Sequence, residues 1–108
     1  MINTVLDASN YIEMHLNQPL NIAEIAREMG YSQFYFARIF SEVTRMSLYN
    51  YIMRRRVSYG YDLLLHKTDK ILDVALECGF NSHETFIRAF KRQFNRLPSD
   101  ARVHNIKE

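Results

Sequence analysis

Apolar residues recur along the chain three and four positions apart, which is the spacing of one face of an α-helix. The spacing is clear in an early stretch containing Val5, Ile12 and Leu16 and again at residues 22–29. No stretch sustains the alternation of apolar and polar positions that is typical of a strand. The pattern predicts an all-α fold.

Glycine and proline mark the breaks between the predicted helices. Pro19 follows a first helix, Gly30 and Gly79 each follow a short helix, and Pro98 lies near the start of the last one. Both residue types are common where helices begin or end, because proline lacks an amide proton and glycine accepts left-handed backbone. The pattern predicts about seven helices, at residues 3–17, 21–29, 32–44, 48–66, 70–78, 82–95 and 98–104.

Gly60 lies inside the predicted helix 48–66 rather than at its end. A glycine inside a helix costs roughly 0.5–1 kcal/mol relative to alanine, because it has more backbone entropy to lose. We therefore expect Gly60→Ala to stabilise the fold by several tenths of a kcal/mol. Two alternatives stay open: another backbone leaves no room for a methyl group, or the helix breaks at this residue to set the angle between the two units.

The chain contains an internal repeat. Shifted by 49 residues, "NIAEIAREMGY" (21–31) aligns with "KILDVALECGF" (70–80), and beyond a turn that is one residue longer the offset becomes 50. The later offset aligns Ser32 with Ser82, Phe36 with Phe86, Arg38 with Arg88, and Phe40 with Phe90. A repeated pattern of this kind indicates a duplicated structural unit.

Each copy of the repeat is predicted to be a helix-turn-helix. A short helix ends at a glycine, and a serine then caps a second helix. Asn21 and Glu24 have the spacing of a capping box at the first helix, and Ala26 and Ala75 are small enough for two helices to cross closely. A plain helical hairpin explains the glycine equally well, but it does not explain why the unit occurs twice.

The repeated word Phe-x-Arg-x-Phe predicts a helix with a buried side and an exposed arginine. The residues expected on the buried side are Phe36, Ile39, Phe40 and Val43 in the first copy and Phe86, Ala89, Phe90 and Phe94 in the second. Arg38 and Arg88 follow a phenylalanine by two positions, a rotation of about 200° in a helix. Both arginines should therefore point to solvent.

The outward residues of helices 32–44 and 82–95 suit the major groove of DNA. Arginine can donate two hydrogen bonds to guanine, carboxylates and amides can pair with exocyclic amines, and small apolar groups can meet the thymine methyl. The predicted base-reading residues are Gln33, Phe34, Ala37, Arg38, His83, Glu84, Thr85 and Arg88. The predicted phosphate contacts are Ser32, Ser82, Lys91, Arg92 and Arg96. Taken alone, Glu84 and Arg88 are better explained as an exposed pair worth about a few tenths of a kcal/mol, and it is the duplication that reverses this preference.

The second copy resembles the DNA-binding module of the AraC/XylS transcription regulators. The stretch "ILDVALECGFNSHETFIRAFKRQFNRLPSDAR" (71–102) carries the resemblance, which extends over residues 4 to 103. Its landmarks are Ile71, Ala75, Gly79, Phe80, Phe86, Arg88, Phe90, Lys91, Pro98 and Arg102. The chain departs from the family pattern where it has Arg45 and Asn95 in place of a glycine, Leu48 in place of a frequent proline, and Gly60 in place of alanine.

The resemblance implies an AraC-type DNA-binding domain over 1–108, with one helix-turn-helix unit at about 4–45 and another at about 70–104. A linker helix at 48–66 would join them and span about 28 Å at 1.5 Å per residue. Two recognition helices could then read adjacent major grooves, about 34 Å apart. Of the arginines at 54–56, which fan out around the linker helix, we expect Arg55 to be structural.

The implied function is sequence-specific binding of double-stranded DNA and regulation of transcription. RNA polymerase is the implied protein partner, and the implied location is the bacterial cytoplasm, at the nucleoid. The isolated domain should be a monomer. If Met1 is the native start, either the regulator stands alone or a sensor domain follows Glu108. The alternatives are a helical protein-interaction module without DNA binding, and an RNA-binding protein, which is disfavoured because single-strand recognition usually needs exposed aromatic residues on an open surface.

Charge and composition agree with this hypothesis and exclude other classes. Net charge is +2, yet residues 1–37 hold one of the 14 bases and four of the 12 acids, so the rest of the chain is basic. A basic region suits a polyanion, although a solvated basic face is as common an explanation. Hydrophobic residues make up 47% of the sequence, which is typical of a globular chain. No apolar run reaches membrane-spanning length, so no membrane partner is expected.

The sequence offers no catalytic or metal-binding pattern. The four histidines lack metal-ligand spacing, and no glycine-rich phosphate loop or nucleophile motif is present. We therefore expect no cofactor, no metal and no enzyme activity. Cys78 is the sole cysteine and cannot form an internal disulfide. It aligns with Met29 in the other repeat, which favours a buried apolar role over a reactive thiol.

Overall fold

The computed structural model describes residues 2–66 and 69–107, with the side chains of 2–66 and 69–102. All regular structure in these residues is helical, which confirms the all-α prediction. The helices are α1 (Ile2–Met14), α2 (Ile22–Met29), α3 (Gln33–Thr44), α4 (Leu48–His66), α5 (Ile71–Glu77), α6 (His83–Phe94) and α7 (Pro98–Lys107).

The helix bounds match the predicted ones to within three residues. Apart from the end of α7, the largest difference is at the end of α1. This helix ends at Met14, whereas residue 17 was predicted. Beyond Met14 the backbone tightens: the amide of His15 donates to the carbonyl of Ile12, and that of Gln18 to His15, three residues back in each case. Pro19 follows, and a proline disfavours helical backbone in the residue before it.

The chain divides into two compact units, Met1–Ile52 and Met53–Glu108. The first unit has a core built by α1, α2, α3 and the first residues of α4. Its buried residues are Val5, Ala8, Ile12, Leu16, Ile25, Ala26, Phe36, Ile39, Phe40, Leu48 and Ile52. Phe36 and Phe40 are fully buried, as predicted, but Val43 is 38% exposed. The prediction for Val43 was wrong because this residue lies in the last turn of α3, where less of the unit covers the helix.

The second unit has a core in which aromatic rings dominate. Its buried residues are Val57, Leu63, Leu64, Val74, Ala75, Cys78, Phe80, Phe86, Phe90 and Ala101. The rings of Phe80, Phe86, Phe90 and Phe94 follow one another with centroids 4.9–5.7 Å apart. Pairs of aromatic rings at such separations add stability beyond the apolar area they bury. The duplicated phenylalanines therefore hold the core of each unit.

Cys78 is buried in this second core, which confirms its predicted apolar role. Its thiol is fully inaccessible to solvent, and its Sγ donates to the carbonyl oxygen of Ala75 at 3.5 Å. Burial raises the pKa of the Cys78 thiol to about 12, because the thiolate would lose its hydration. A thiol that stays protonated in this way is a poor nucleophile.

Gly60 lies in continuous helix, and the expected stabilisation by alanine is not supported. A Cβ built at Gly60 would lie 2.6 Å from Cε1 and 2.9 Å from Cζ of Phe86, and 3.1 Å from Sγ of Cys78. Phe86 is fully buried, so its ring has no free space into which to move. The helix does not break at Gly60. Of the two alternatives, close packing is the one that the structure supports. The obstacle to a methyl group is the side chain of Phe86 and not another backbone.

The two copies of the repeat close their turns with matching hydrogen bonds. The amide of Tyr31 donates to the carbonyl of Ala26, and at the same place in the second copy the amide of Phe80 donates to Ala75, both at 2.9 Å. Gly30 and Gly79 supply the left-handed backbone that this closure needs, with φ of 84° and 103°. The helix-turn-helix prediction is therefore confirmed in both copies.

The recognition helices begin and end alike. The hydroxyls of Ser32 and Ser82 each accept an amide hydrogen bond three residues on, at 3.3 Å, and so act as the predicted N-caps. Both helices end at a left-handed residue that is not glycine, Arg45 with φ 64° and Asn95 with φ 60°. These are the only two non-glycine residues with positive φ among those described. Arg45 and Asn95 are also the two positions at which the AraC/XylS pattern has a glycine and this chain does not.

Candidate nucleic-acid interface

The first turns of α3 present the four predicted base readers of the first unit. Gln33, Phe34 and Arg38 are exposed and Ala37 is half-buried. Phe34 is 92% exposed, which is unusual for an aromatic side chain in a chain that buries its other phenylalanines in or against its cores. An apolar ring held in water in this way is a candidate for contact with a partner.

Arg38 has neighbours on its own helix that limit where it can point. Its guanidinium carbon lies 5.5 Å from the centroid of the Tyr35 ring. Its Nε is 4.0 Å from Oε1 of Glu42, one turn further on. The arginine is nonetheless 68% exposed, so the rest of its guanidinium remains open to a ligand.

The first turns of α6 present the corresponding residues of the second unit. His83, Glu84, Thr85 and Arg88 are all exposed. His83 Nε2 lies 3.5 Å from Oε1 of Glu84. The backbone amide of Glu84, at the start of the helix, lowers the pKa of the Glu84 carboxyl, and His83 lowers it further. The carboxyl of Glu84 is therefore ionised near neutral pH and can only accept hydrogen bonds.

Thr85 uses its hydroxyl within the turn, which changes what it can offer a base. Its Oγ1 donates to the backbone carbonyl of Ser82 at 3.0 Å and lies 3.0 Å from the Ser82 hydroxyl. The Thr85 hydroxyl is thus engaged in hydrogen bonding within the turn, whereas the methyl group of this exposed side chain is available for contact. Thr85 is better suited to apolar contact than to hydrogen bonding.

The predicted phosphate contacts differ in how free they are. Lys91 and Arg92 are exposed in the last turns of α6. Arg96 is half-buried: its Nη2 donates to the hydroxyl of Tyr61 at 2.6 Å, and its guanidinium carbon lies 5.9 Å from the centre of the Tyr61 ring. Ser32 and Ser82 act as helix caps. Contact of all five residues with phosphate stays a prediction.

The arginine run at 54–56 is divided by the turn of α4, as expected. Arg54 is exposed, whereas Arg55 and Arg56 are half-buried and both interact with other groups of the chain. Half-burial agrees with the structural role predicted for Arg55, and Arg56 shares it. The run does not form one uniform basic surface.

Sequence reasoning missed four residues that organise the two sites: Tyr35 and Glu42 beside Arg38, Tyr61 beside Arg96, and Arg102. Tyr35 and Glu42 could have been found from spacing, because residues three and four apart on a helix are neighbours. Tyr61 lies 35 positions from Arg96, and no local pattern relates them.

Arg102 joins the end of the second unit to two backbone carbonyls. Its Nε donates to the carbonyl oxygen of Leu64 at 3.2 Å, and its Nη1 donates to that of Asp69 at 2.7 Å. Leu64 lies in the last turn of α4, where carbonyl groups have no partner within the helix. The side chain that sequence comparison marked only as a landmark therefore ties α7 to the end of α4.

Groups of three or more potential metal ligands do not occur in the described part of the chain. Of the helices in that part, none has both the length and the apolar character needed to cross a membrane.

Comparison with known proteins identifies the family. A family model described as a helix-turn-helix domain matches residues 25–104. The chain is 41% identical over 98 residues to the regulatory protein SoxS of Escherichia coli, covering 91% of this chain and 92% of SoxS. It is 39% identical over 95 residues to the right origin-binding protein of the same species, of which it covers 33%.

Solved structures share the fold. A transcriptional regulator with an AraC-type DNA-binding domain from Chromobacterium violaceum superposes with a TM-score of 0.91, at 24% identity over 95% of this chain and 92% of that one. The DNA-binding domain of AdpA, solved in complex with a target DNA, has a TM-score of 0.88 at 23% identity, over 93% and 90% of the two chains. At these identities the likeness shows the fold alone.

The two helix-turn-helix units and these relatives define the class. The chain belongs to the AraC family of helix-turn-helix transcription regulators, and its function is that of a DNA-binding regulator. The predicted family and function are confirmed, and the alternative of a protein-interaction module without DNA binding is not supported.

Proposed function

We propose that the first turns of α3 and α6 enter the major groove of double-stranded DNA and read its sequence. The observation that carries this proposal is that seven of the eight predicted base readers are exposed, on the sides of the two helices opposite a buried pair of phenylalanines. An α-helix fits the major groove, where each base pair presents its own pattern of donors and acceptors.

The two units read different sequences. The first offers Gln33, Phe34 and Arg38, and the second offers His83, Glu84 and Arg88 at the start of the corresponding helix. One chain therefore binds a single asymmetric duplex site as a monomer, because no symmetry mate is needed to supply a second unit. Protection of about 20 base pairs is expected for two adjacent major-groove contacts.

Phosphate contacts position the units and base contacts specify the site. Lys91 and Arg92, which are exposed on α6, are the main phosphate-binding residues. Ser32, Ser82 and Arg96 support them from the ends of the recognition helices. Such contacts hold any sequence with equal strength and weaken as salt increases.

Regulation follows from where the chain binds. At a promoter, a bound chain can recruit or obstruct RNA polymerase, which we propose as its protein partner in the cytoplasm, at the nucleoid. We assign the chain no catalytic activity, because its family consists of DNA-binding regulators.

Two arginines on one helix supply the test. A duplex selected from a random pool is titrated with the wild type, Arg88→Ala and Arg92→Ala at several salt concentrations. Arg88→Ala should cost about 1–3 kcal/mol on the selected duplex and relax preference at one or two base pairs. Arg92→Ala should weaken all duplexes alike and reduce the salt slope by about one.

The result that would overturn the assignment is equal behaviour of the two variants. If both lower the affinity for selected and random duplexes by the same factor, Arg88 is a phosphate contact and not a base reader. Two chains bound to a palindromic minimal site would contradict the monomeric, asymmetric mode.

A further inference from the structure

We infer that Tyr35 is a positioning residue for Arg38, so that the first unit presents its guanidinium already oriented for a base. The inference rests on the proposed function, in which Arg38 reads a base, and adds a residue outside the predicted site. In this inference Tyr35 orients Arg38 and does not itself contact the base.

The contacts of Tyr35 carry the inference. The guanidinium carbon of Arg38 lies 5.5 Å from the centre of the Tyr35 ring, within the range in which a cation is attracted to an aromatic face. Arginine stacks on aromatic rings better than lysine does, because its guanidinium is planar and weakly hydrated. The ring therefore restricts the plane in which the guanidinium lies.

Glu42 restricts the same guanidinium from the next turn of α3. Its Oε1 lies 4.0 Å from Nε of Arg38. A carboxylate beside Nε leaves the two terminal nitrogens unoccupied by this pair. Those nitrogens form the fork that donates two hydrogen bonds to O6 and N7 of guanine. Ring and carboxylate together restrict the orientations that the fork can take.

Tyr35 in turn contacts a ring that is linked to another helix of the first unit. Its ring lies 5.4 Å from the ring of Tyr31, in the turn between α2 and α3. The Tyr31 hydroxyl lies 3.4 Å from Oγ1 of Thr4 in α1. The support for the base reader thus extends through two rings to another helix of the same unit, whereas Arg38 itself remains 68% exposed.

The second unit lacks this arrangement at the matching positions. Fifty residues on, Tyr35 is replaced by Thr85, whose hydroxyl is engaged with Ser82, and Glu42 is replaced by Arg92. Neither gives Arg88 the support that Tyr35 and Glu42 give Arg38, since Thr85 has no ring and Arg92 repels a guanidinium. The nearby acid in the second unit is Glu84, whose charge interacts with Arg88 from the preceding turn, so the two arginines of the repeat are supported by different side chains.

The experiment is a double-mutant cycle on duplex binding. Tyr35→Leu removes the ring and Tyr35→Phe keeps it, and both are made in the wild type and in the Arg38→Ala background. Each protein is titrated against a selected duplex and against duplexes that carry single base-pair changes across the site. Tyr49→Leu, which removes an exposed tyrosine of α4, is the matched control, and thermal melts report the folding of each variant.

The expected result is a loss confined to the base pair that Arg38 reads. Tyr35→Leu should weaken binding about 2- to 5-fold, the size of an exposed cation–π contact, and reduce discrimination at the base pairs that Arg38→Ala affects. Tyr35→Phe should keep both properties. In the Arg38→Ala background, Tyr35→Leu should cause no further loss, and Tyr49→Leu should cause none in either background.

Four outcomes would overturn the inference. One is an equal loss on every duplex, and another is a loss that persists without Arg38; either would mean that Tyr35 acts on DNA or on folding directly. If Tyr35→Leu has a lowered melting temperature, Glu42→Gln and Tyr35→Phe supply the test instead. The inference is overturned if Glu42→Gln still discriminates between base pairs as the wild type does and Tyr35→Phe does not. If Arg38→Ala changes no base preference, the proposed reading of a base by Arg38 is removed together with the inference. If Arg38→Ala has a clear effect but shows no coupling with Tyr35→Leu, only the inference is removed.

Discussion

The two helix-turn-helix units have the same backbone design and different side-chain support. Both close their turn with a glycine in left-handed backbone, begin the recognition helix at a serine, and end it at a left-handed residue that is not glycine. The recognition arginine projects from the same place in each. In the first unit, however, an aromatic ring and a carboxylate flank that arginine.

The second unit is held to the residues of α4 by two close contacts. There, α4 approaches Phe86 so closely that a methyl group at residue 60 would crowd the ring, and Arg102 ties the end of the unit to α4. The first unit has the Phe36–Phe40 pair in its core and, in addition, the rings of Tyr31 and Tyr35 at the start of its recognition helix. The difference teaches that a duplicated frame leaves the outward side chains free to diverge, which suits a site whose two halves differ.

The largest expected effect is on the closure of the second unit. Arg102→Ala removes two hydrogen bonds from a charged donor to the carbonyls of Leu64 and Asp69, and should lower the free energy of unfolding by about 2–3 kcal/mol. Chemical denaturation measures the change. Arg92→Ala, which removes an exposed arginine of the same unit, is the control and should alter stability by less than about 0.5 kcal/mol. Equal losses in the two variants would show that Arg102 has no special structural role.

Gly60→Ala should destabilise the protein by about 1–2 kcal/mol. Crowding of the Phe86 ring costs about 1–3 kcal/mol, and the better helix propensity of alanine returns roughly 0.5–1 kcal/mol. For a domain of this size, thermal melts should move down by several degrees. In a Phe86→Leu background the cost of Gly60→Ala should shrink, because the crowded ring is absent. A rise in melting temperature would restore the expectation made from helix propensity.

The two left-handed helix ends should respond unequally to glycine. Arg45→Gly should stabilise the first unit by about 0.5–1 kcal/mol, because left-handed backbone costs an ordinary side chain roughly 1–2 kcal/mol and glycine loses part of that gain in the unfolded chain. Asn95→Gly should gain only about a few tenths of a kcal/mol, because asparagine tolerates this conformation. Thermal melts of the two variants test the order. A larger gain at Asn95 would show that strain does not follow side-chain type here.

The smallest effect concerns the start of α6 and depends on pH. The folded state lowers the pKa of the Glu84 carboxyl, so its contribution to stability is present above the unfolded value, about 4.3, and is lost as pH falls through the folded value. Glu84→Gln should therefore melt slightly below the wild type near pH 7 and together with it in strong acid. Phe34→Leu, at the matching position of α3, should differ from the wild type by the same amount at both pH values. A Glu84→Gln difference that is independent of pH would contradict the charge-based explanation.

Much of the fold was predictable because its signals are local. Helical spacing, the two glycine breaks and the serine caps each depend on a few neighbouring residues, and the structure has a helix at every predicted place. Val43 was assigned to the core because periodicity gives direction around a helix but not how far the covering residues extend along it. Gly60 was misjudged for a related reason: propensity describes the helix alone, and the nearest obstacle, Phe86, lies 26 positions away in the sequence.

The candidate site divides in the same way. The sequence by itself determined the duplication and the outward direction of Arg38 and Arg88, because helix geometry converts spacing into direction. Only the tertiary structure decided that Arg96 lies against Tyr61, that Arg102 caps the end of α4, and that Tyr31, whose ring lies near Tyr35, contacts Thr4. These contacts join residues far apart in the chain or depend on side-chain rotamers. They form only when a whole unit has packed, and no pattern of neighbouring residues encodes them.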